Sequence, residues 1–195
     1  MRAESGELGP VESGDIEMAE VEQEEARAKR LSPRLMAMAS YVEAGESVAD
    51  IGADHAYLPL WLVREGVAPF AILTDVQPGP LEKTRISVDK ALAAGLLRLD
   101  CRVDLRLGDG LSPLAGAEVD VVVIAGLGGE TICSILMADP AKSNSFLKYI
   151  LQPRTKTDFL LGWLAGAGWS TLAQTTAEEN GRKCDIIVCT PLHCV

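Results

Sequence analysis

The sequence predicts a doubly wound, mostly parallel α/β sheet that ends in an antiparallel hairpin. From residue 31 onward, short apolar runs alternate five times with longer segments of helical pattern, which is typical of β/α units in a parallel sheet. The run 119–125 is apolar except for Asp120, as expected of a strand covered on both faces. The polar turn 178–181 separates the last two apolar runs and predicts a terminal hairpin.

The helices are placed by their capping and stop signals. Ser32 is a suitable N-cap, and Pro33 suits the first position of the helix that follows it. Gly66 and Gly95 end the second and third helices. The predicted helices span residues 31–41, 56–65, 79–94, 130–137 and 156–167.

The strands are placed by short apolar runs bounded by turn residues. In the usual order of a doubly wound sheet, the first and fourth strands are neighbours. The turns that follow Ile51 and Ala125 therefore face each other across one crevice, which is where such sheets bind ligands. The predicted strands span residues 47–51, 70–75, 101–107, 119–125, 148–151, 169–176 and 185–190.

Charge divides the chain into two parts. The net charge is −10 over 195 residues, and residues 1–30 carry half of it, with nine acidic and four basic side chains. This composition predicts a disordered acidic extension over 1–30, with a charged helix over 16–30 as the alternative. The domain is predicted over 31–195. Because that part is also acidic, a nucleic-acid partner would need a local basic patch.

The cysteines exclude two classes of protein. There are five, an odd number, and none forms a CxxC pair, so we expect neither a disulfide framework nor a metal site. Free thiols indicate a reducing compartment, and the cytoplasm is the expected location. No run is long enough to span a membrane, and the N-terminus lacks the apolar core of a signal peptide.

The turn in the segment 48–59, VADIGADHAYLP, is the strongest candidate for a ligand site. Asp50, Gly52 and Asp54 stand where a strand runs into a helix. A pyrophosphate needs a glycine-rich helix N-terminus there, and two carboxylates would repel it. Carboxylates suit a ligand with a cationic or amine end, such as S-adenosylmethionine (SAM).

Two further residues of this turn have open roles. His55 could act as a general base, although a lone histidine is more often structural. Tyr57 could stack on a base or simply seat the helix.

Acidic residues follow the second and third predicted strands as well. Asp75 is placed to accept hydrogen bonds from ribose hydroxyls, or to cap the next helix. Asp109, between Gly108 and Gly110, could accept from an exocyclic amine, although Gly-Asp-Gly is also ordinary turn chemistry.

The segment AGLGGE at 125–130 holds three glycines in four positions. It could be a phosphate loop, but it does not complete the dinucleotide pattern. The preferred interpretation is a bare backbone floor, at Gly126 and Gly128, that lets a flat base or a methyl donor lie close. Gln152, Pro153 and Arg154 follow the fifth predicted strand at the same edge, and Arg154 could contact phosphates or be surface charge.

The segments ADIGADHAYLP, AGLGGE, ILQP and LSPRL resemble the TrmK family, bacterial-type tRNA adenine-N1 methyltransferases that use SAM. The resemblance runs from about residue 31 to residue 188. It implies a Rossmann-like class I methyltransferase sheet with distinct binding regions. By resemblance, the methionine end contacts Asp50, Gly52 and Asp54, the ribose Asp75, the adenine Asp109 and Gly110, and the target base Gly126, Gly128, Gln152 and Pro153.

The chain departs from the family pattern in several places. The family usually has methionine at Leu127, asparagine at Arg154 and a tyrosine near Cys184. It also carries a C-terminal helical domain that helps to hold tRNA. Because this chain ends at Val195, just past the last predicted strand, we expect that domain to be absent.

The resemblance implies methyl transfer from SAM to N1 of an adenine in tRNA, by direct in-line attack, in a monomer or weak oligomer. Asp54 and His55 are the candidate catalytic residues. Two alternatives stay open: a nucleotide-dependent oxidoreductase of the NAD type, and a catalytically silent module that binds SAM or RNA.

Overall fold

Seven strands form one mixed sheet with helices on both faces. The computed structural model describes residues 31–52, 56–95, 97 and 102–191, so the predicted N-terminal extension lies outside the described residues. The helices are α1 (Pro33–Ala39), α2 (Tyr57–Arg64), α3 (Pro78–Ala93), α4 (Gly129–Ala138), α5 (Pro140–Ser143) and α6 (Thr157–Gly166). The strands are β1 (Val48–Ile51), β2 (Phe70–Asp75), β3 (Arg102–Leu107), β4 (Val121–Gly128), β5 (Lys148–Thr155), β6 (Ser170–Glu179) and β7 (Arg182–Thr190).

The strand order is β3-β2-β1-β4-β5-β7-β6. The pairs among β1 to β5 are parallel, and β7 is antiparallel to both β5 and β6. The predicted fold class is therefore confirmed, including the neighbouring positions of the first and fourth strands. Residues of α1, α2 and α3 pack on one face of the sheet, and residues of α4 and α6 pack on the other.

Strand β4 continues through the glycines that were predicted to form a turn. It runs to Gly128 against β5, with register shifts on both sides of Leu127. Gly126 has a φ of +76°, and this left-handed conformation allows the strand to bulge and go on. The prediction that the strand stops at Ala125 was therefore wrong.

Strand β5 is also longer than predicted. It includes Gln152, Pro153 and Arg154, which were expected to follow the strand. Its pairing with β7 ends at Leu151, whereas its pairing with β4 continues to Thr155. Because the end of β5 is paired on one side only, a proline can be accommodated there.

The terminal hairpin is tighter than the predicted four-residue turn. Glu179 pairs with Arg182, so Asn180 and Gly181 alone form the loop. Their φ values are 51° and 71°, as a two-residue hairpin loop of type I′ requires. The two strands of the hairpin therefore continue closer to the loop than the sequence predicted.

Candidate active site

A cleft of about 820 Å³ opens at the carboxyl ends of β1, β4 and β5. Residues of α1, the start of α2 and the turn end of the β6–β7 hairpin complete its walls. Seven of the residues singled out in the sequence line this cleft: Asp50, Gly52, Tyr57, Gly126, Gln152, Pro153 and Arg154. The predicted crevice between the first and fourth strands is therefore present.

Asp50 supplies a carboxyl group to the cleft. It lies in β1, paired with Leu73 of β2 and Val123 of β4. Desolvation by burial raises its pKa from 3.8 to about 7, and the opposing attraction of Arg34 is smaller. Among the described residues no hydrogen bond reaches this carboxyl group. Since a half-buried charge without a hydrogen-bond partner is costly, a cationic ligand group would stabilise Asp50 in its ionised form.

Helix α2 begins beside this carboxyl group. Its N-cap residue, Ala56, has a left-handed φ of 54° and makes no side-chain cap hydrogen bond. Ala56, Tyr57 and Leu58 all line the cleft. The first N–H groups and the helix dipole favour negative charge at this end. One end of the cleft thus combines a carboxyl group with a helix N-terminus, which matches the two charges of an amino-acid group.

The side chain of Gln152 is buried, and both of its polar atoms form hydrogen bonds within the fold. It is 3% exposed. Its Oε1 accepts hydrogen bonds from the Gly126 N–H at 3.2 Å and from Arg34 Nη1 at 3.3 Å, and its Nε2 donates to the Pro153 carbonyl at 2.9 Å. Gln152 therefore fixes the backbone of β4 at Gly126 and joins it to α1.

The glycines of the segment 126–129 serve different purposes. A Cβ added at Gly126 would meet no atom within 4 Å, so this residue leaves open space in the cleft. A Cβ at Gly129 would approach the Lys156 carbonyl oxygen to 2.4 Å, which excludes any side chain there. Gly128 faces Thr155 in β5 and is not among the cleft-lining residues. Only Gly126 fits the predicted bare floor.

A second region of the same edge lies at the ends of β2 and β3. Asp75 is opposite Leu107 in the parallel register, and its Oδ1 accepts from the Gln77 N–H at 2.8 Å. Val76 is 61% exposed and Leu107 is 57% exposed. We call this pair the apolar ledge (Val76 and Leu107). Exposed apolar side chains around an acidic residue offer surface for a flat ring.

Two predicted adenine contacts belong to this second region. Asp109 is exposed, whereas Gly110 is buried with a φ of 52°. A Cβ at Gly110 would meet Ile135 Cγ2 at 3.0 Å, and one at Gly108 would meet Pro113 Cγ at 2.4 Å. Packing alone therefore accounts for both glycines, and the adenine contact of Gly110 stays a prediction.

Asp54 and His55 lie outside the described residues, so their predicted catalytic role stays a prediction too. Within the described ranges, no group of three or more His, Cys, Asp or Glu side chains could hold a metal ion. The helices of that same part of the chain are too short or too polar to cross a membrane.

Sequence reasoning missed the apolar ledge and the position of Glu179. Glu179 Oε2 accepts from Arg34 Nε at 2.8 Å, across a separation of 145 residues. No periodicity connects two such distant positions. For Val76 and Leu107, the sequence shows apolar residues after or beside a carboxylate, but it cannot tell an exposed side chain from a buried one.

The fold and the cleft define a Rossmann-like methyltransferase domain, and residues 31–187 match the family model described as "Methyltransferase domain". A tRNA (adenine(22)-N(1))-methyltransferase of Bacillus subtilis (strain 168) is 33% identical over 159 residues, which are 82% of this chain and 64% of that protein. This chain thus spans somewhat less than two thirds of the length of that relative.

Solved structures agree with this match. The B. subtilis M1A22 tRNA methyltransferase TrmK is 32% identical, with a TM-score of 0.74 over 83% of this chain and 67% of that chain. A Streptococcus pneumoniae protein in complex with S-adenosyl-L-methionine is 35% identical, with a TM-score of 0.74 over 83% and 73%. The chain belongs to the TrmK family of methyltransferases, as its sequence motifs predicted.

Proposed function

We propose that this chain transfers a methyl group from SAM to N1 of an adenine in tRNA. The observation that carries the proposal is the carboxyl group of Asp50, which has a pKa raised to about 7 and lies in the cleft beside the N-terminus of α2. A related protein is a tRNA (adenine(22)-N(1))-methyltransferase, which supports the substrate. The proposed site of action is the cytoplasm, with residues 31–195 as the catalytic domain.

The described residues fit the amino-acid end of SAM. The Asp50 carboxylate would hold the amino group, and the N–H groups at the start of α2 would face the carboxylate. Gly52 has a φ of +74° and no atom within 4 Å of its Cβ position, so the ligand can approach the backbone closely. A dinucleotide pyrophosphate in the same place would meet the charge of Asp50, which disfavours the oxidoreductase alternative.

The second region of the edge fits the adenosine end. Asp75 would accept hydrogen bonds from the ribose hydroxyls with Oδ2, the oxygen not used by Gln77. The apolar ledge would cover the adenine ring, and Asp109 would accept from its exocyclic amine. Gly110, which has no room for a side chain beside Ile135, would then allow the tight turn that carries Asp109.

The protein contributes to the reaction mainly by positioning the two reactants. When bound, SAM supplies a methyl group on a positively charged sulfur, and the C–S electron pair stays with that sulfur as the lone pair of adenine N1 forms the new N–C bond. Correct orientation of two reactants can lower a barrier by about 7 to 11 kcal/mol in favourable cases. Gly126 leaves room for the target base, and Leu127 and Pro153 border that space.

Gln152 and the candidate bases have separate roles in this proposal. Gln152 holds the Gly126 floor in place, because its Oε1 accepts a hydrogen bond from the Gly126 N–H. The methylated adenine carries a positive charge until a proton leaves its amino group. Asp54 or His55 would accept that proton, and water can do so in their place. Tyr57 would stack on the target base.

The test is methylation of an unmodified tRNA transcript with SAM, read as 1-methyladenosine by mass spectrometry of the digested RNA. The wild-type chain should produce 1-methyladenosine, and Asp50→Ala should lose at least about tenfold in SAM affinity, since one charge-assisted hydrogen bond contributes about 1.5 to 3 kcal/mol. Asp89→Ala, an exposed aspartate of α3, is the matched control and should bind SAM normally.

Calorimetric titration with SAM and with NAD separates the remaining alternatives. Binding of NAD without binding of SAM would overturn the proposal and favour the oxidoreductase. Binding of SAM without methylation of any adenine would favour the silent module. An Asp50→Ala variant with unchanged SAM affinity would mean that the methionine end lies elsewhere.

A further inference from the structure

Three basic residues border the mouth of the cleft. Arg154 lies near the end of β5, and Arg182 and Lys183 are the first two residues of β7, directly after the hairpin loop. All three line the cleft, and all three are exposed. We call them the basic rim (Arg154, Arg182 and Lys183).

The basic rim differs from most cations of the described chain because no carboxylate neutralises it. Six other basic side chains form ion pairs: Arg34, Arg64, Arg85, Arg106, Lys148 and Lys156. Within the described residues, no ion pair or hydrogen bond engages the side chains of the basic rim. Lys83 and Lys90 of α3 share this property, but they do not line the cleft.

The hairpin geometry keeps the charge of Arg182 uncompensated. Glu179 lies directly opposite Arg182 in the β6–β7 register. However, the Glu179 carboxylate accepts a hydrogen bond at 2.8 Å from Arg34, which belongs to α1. Glu178 lies opposite Lys183 without forming an ion pair. Both Arg182 and Lys183 line the cleft, so their positive charge lies at its mouth.

The surroundings make this local charge more significant. Residues 31–195 carry 19 acidic and 14 basic side chains, a net charge of −5, so most of the surface repels a polyanion. Unpaired cations in an acidic surface attract phosphates only where they cluster. The mouth of the cleft is such a place, and it is also the entry for the base that would be methylated.

We propose that the basic rim binds the phosphates of the RNA strand whose adenine enters the cleft. The proposal rests on the proposed function and adds the surface that holds the substrate. Contacts to phosphates position a nucleic acid without reading its sequence. The rim would therefore orient the strand, while the cleft selects the base.

The test is the salt dependence of RNA binding, measured by fluorescence anisotropy with a labelled, unmodified tRNA transcript. The double variant Arg182→Ala/Lys183→Ala should bind at least about tenfold more weakly near 0.1 M salt. Its plot of log affinity against log salt should be shallower by about 0.7 to 0.9 for each lost phosphate contact. Arg154→Ala should show the effect of one contact. In methylation assays the KM for tRNA should rise while the KM for SAM stays the same.

The matched control is Lys83→Ala/Lys90→Ala, which removes the same charge from exposed, unpaired lysines outside the cleft. Rim variants with the affinity and salt slope of this control would overturn the proposal, and so would a wild-type chain without measurable tRNA binding. An equal loss of affinity for polyglutamate would indicate an acidic protein partner and would also overturn it. Salt-dependent tRNA binding through the rim without methylation would uphold the rim and overturn only the proposed function.

Discussion

Two aspartates lie at opposite ends of the neighbouring strands β1 and β4. We call these two ends the amino edge and the carboxyl edge of the sheet. Asp120, just before β4, lies at the amino edge, where its Oδ2 accepts from the Ser47 N–H at 2.8 Å and from Ser47 Oγ at 2.6 Å. Those bonds hold the pKa of Asp120 below its ordinary value. Asp50, near the end of β1, has no such partners among the described residues, and burial raises its pKa to about 7. The carboxylate at the amino edge is hydrogen-bonded within the fold, whereas the carboxyl group at the carboxyl edge is available to a ligand.

The two carboxyl groups therefore affect stability with opposite dependence on pH. The lowered pKa of Asp120 contributes stability above its ordinary pKa of 3.8, and this contribution is lost as the pH falls. The raised pKa of Asp50 works in the other direction. The stability associated with neutral Asp50 is fully present below pH 3.8 and is lost as the pH rises towards 7.

The largest effect on stability is expected at the amino edge. Asp120→Ala removes the acceptor of the Ser47 N–H and Oγ, and Ser47 is buried. The free energy of unfolding should fall by about 2 to 3 kcal/mol, because hydrogen bonds to charged groups contribute about 1.5 to 3 kcal/mol. Urea denaturation at pH 7 measures this loss, and SAM affinity should stay unchanged. Asp89→Ala is the control, with an expected change below about 0.5 kcal/mol. Equal losses in both variants would contradict the contrast between the edges.

At the carboxyl edge, a substitution is expected to increase the free energy of unfolding. Asp50→Asn should raise the free energy of unfolding at pH 8 by about 2 kcal/mol. The rise in pKa to about 7 allows at most about 4 kcal/mol, and water in the cleft reduces it. The gain should shrink towards zero at pH 4, where the native carboxyl group is neutral as well. Urea denaturation of both proteins across this pH range is the measurement. A gain that does not depend on pH would exclude the ionisation of Asp50 as its cause.

The smallest effect on stability should accompany a large effect on activity. Gly126→Ala places a side chain at a φ of +76°, which costs about 1 kcal/mol or slightly more. Because its methyl group enters open space in the cleft, methylation of tRNA should fall well beyond the change in stability. Gly66→Ala, at a φ of +70° outside the cleft, should show the same loss of stability and normal kcat. Similar kcat values in the two variants would contradict the proposal that Gly126 leaves room for the target base.

Sequence reasoning succeeded where a pattern repeats along the chain. The alternation of strands and helices predicted the fold class and the neighbouring positions of the first and fourth strands, and Asp50 lines the crevice predicted between them. It failed where a local signal has two structural outcomes. The fifth strand was predicted to stop at Leu151, before Pro153, but the last part of β5 is paired on one side only and accommodates the proline. Gly126 and Gly129 are both glycines of one segment. A Cβ at Gly126 would enter open space, whereas a Cβ at Gly129 would clash with the Lys156 carbonyl.

The contacts that shape the cleft could not be derived from the sequence. Arg34 and Glu179 are 145 residues apart in the sequence but form an ion pair. Their contact depends on how α1 packs beside the β6–β7 hairpin. Likewise, the engagement of Gln152 depends on its register with β4. The sequence shows the residue types. Which of these residues contact one another depends on how the helices and strands pack.

The bulge in β6 has a consequence for how copies of this chain behave at high concentration. β6 is the outermost strand on one side of the sheet, and an unpaired strand edge can recruit another chain and aggregate. The register shift between Thr171 and Ala173 interrupts the regular ladder, and Leu172 is 58% exposed there. On the other outer strand, β3, the side chains of Arg102, Asp104 and Arg106 carry charge. The charges on β3 and the bulge in β6 oppose edge-to-edge association, whereas the exposed Leu172 favours it.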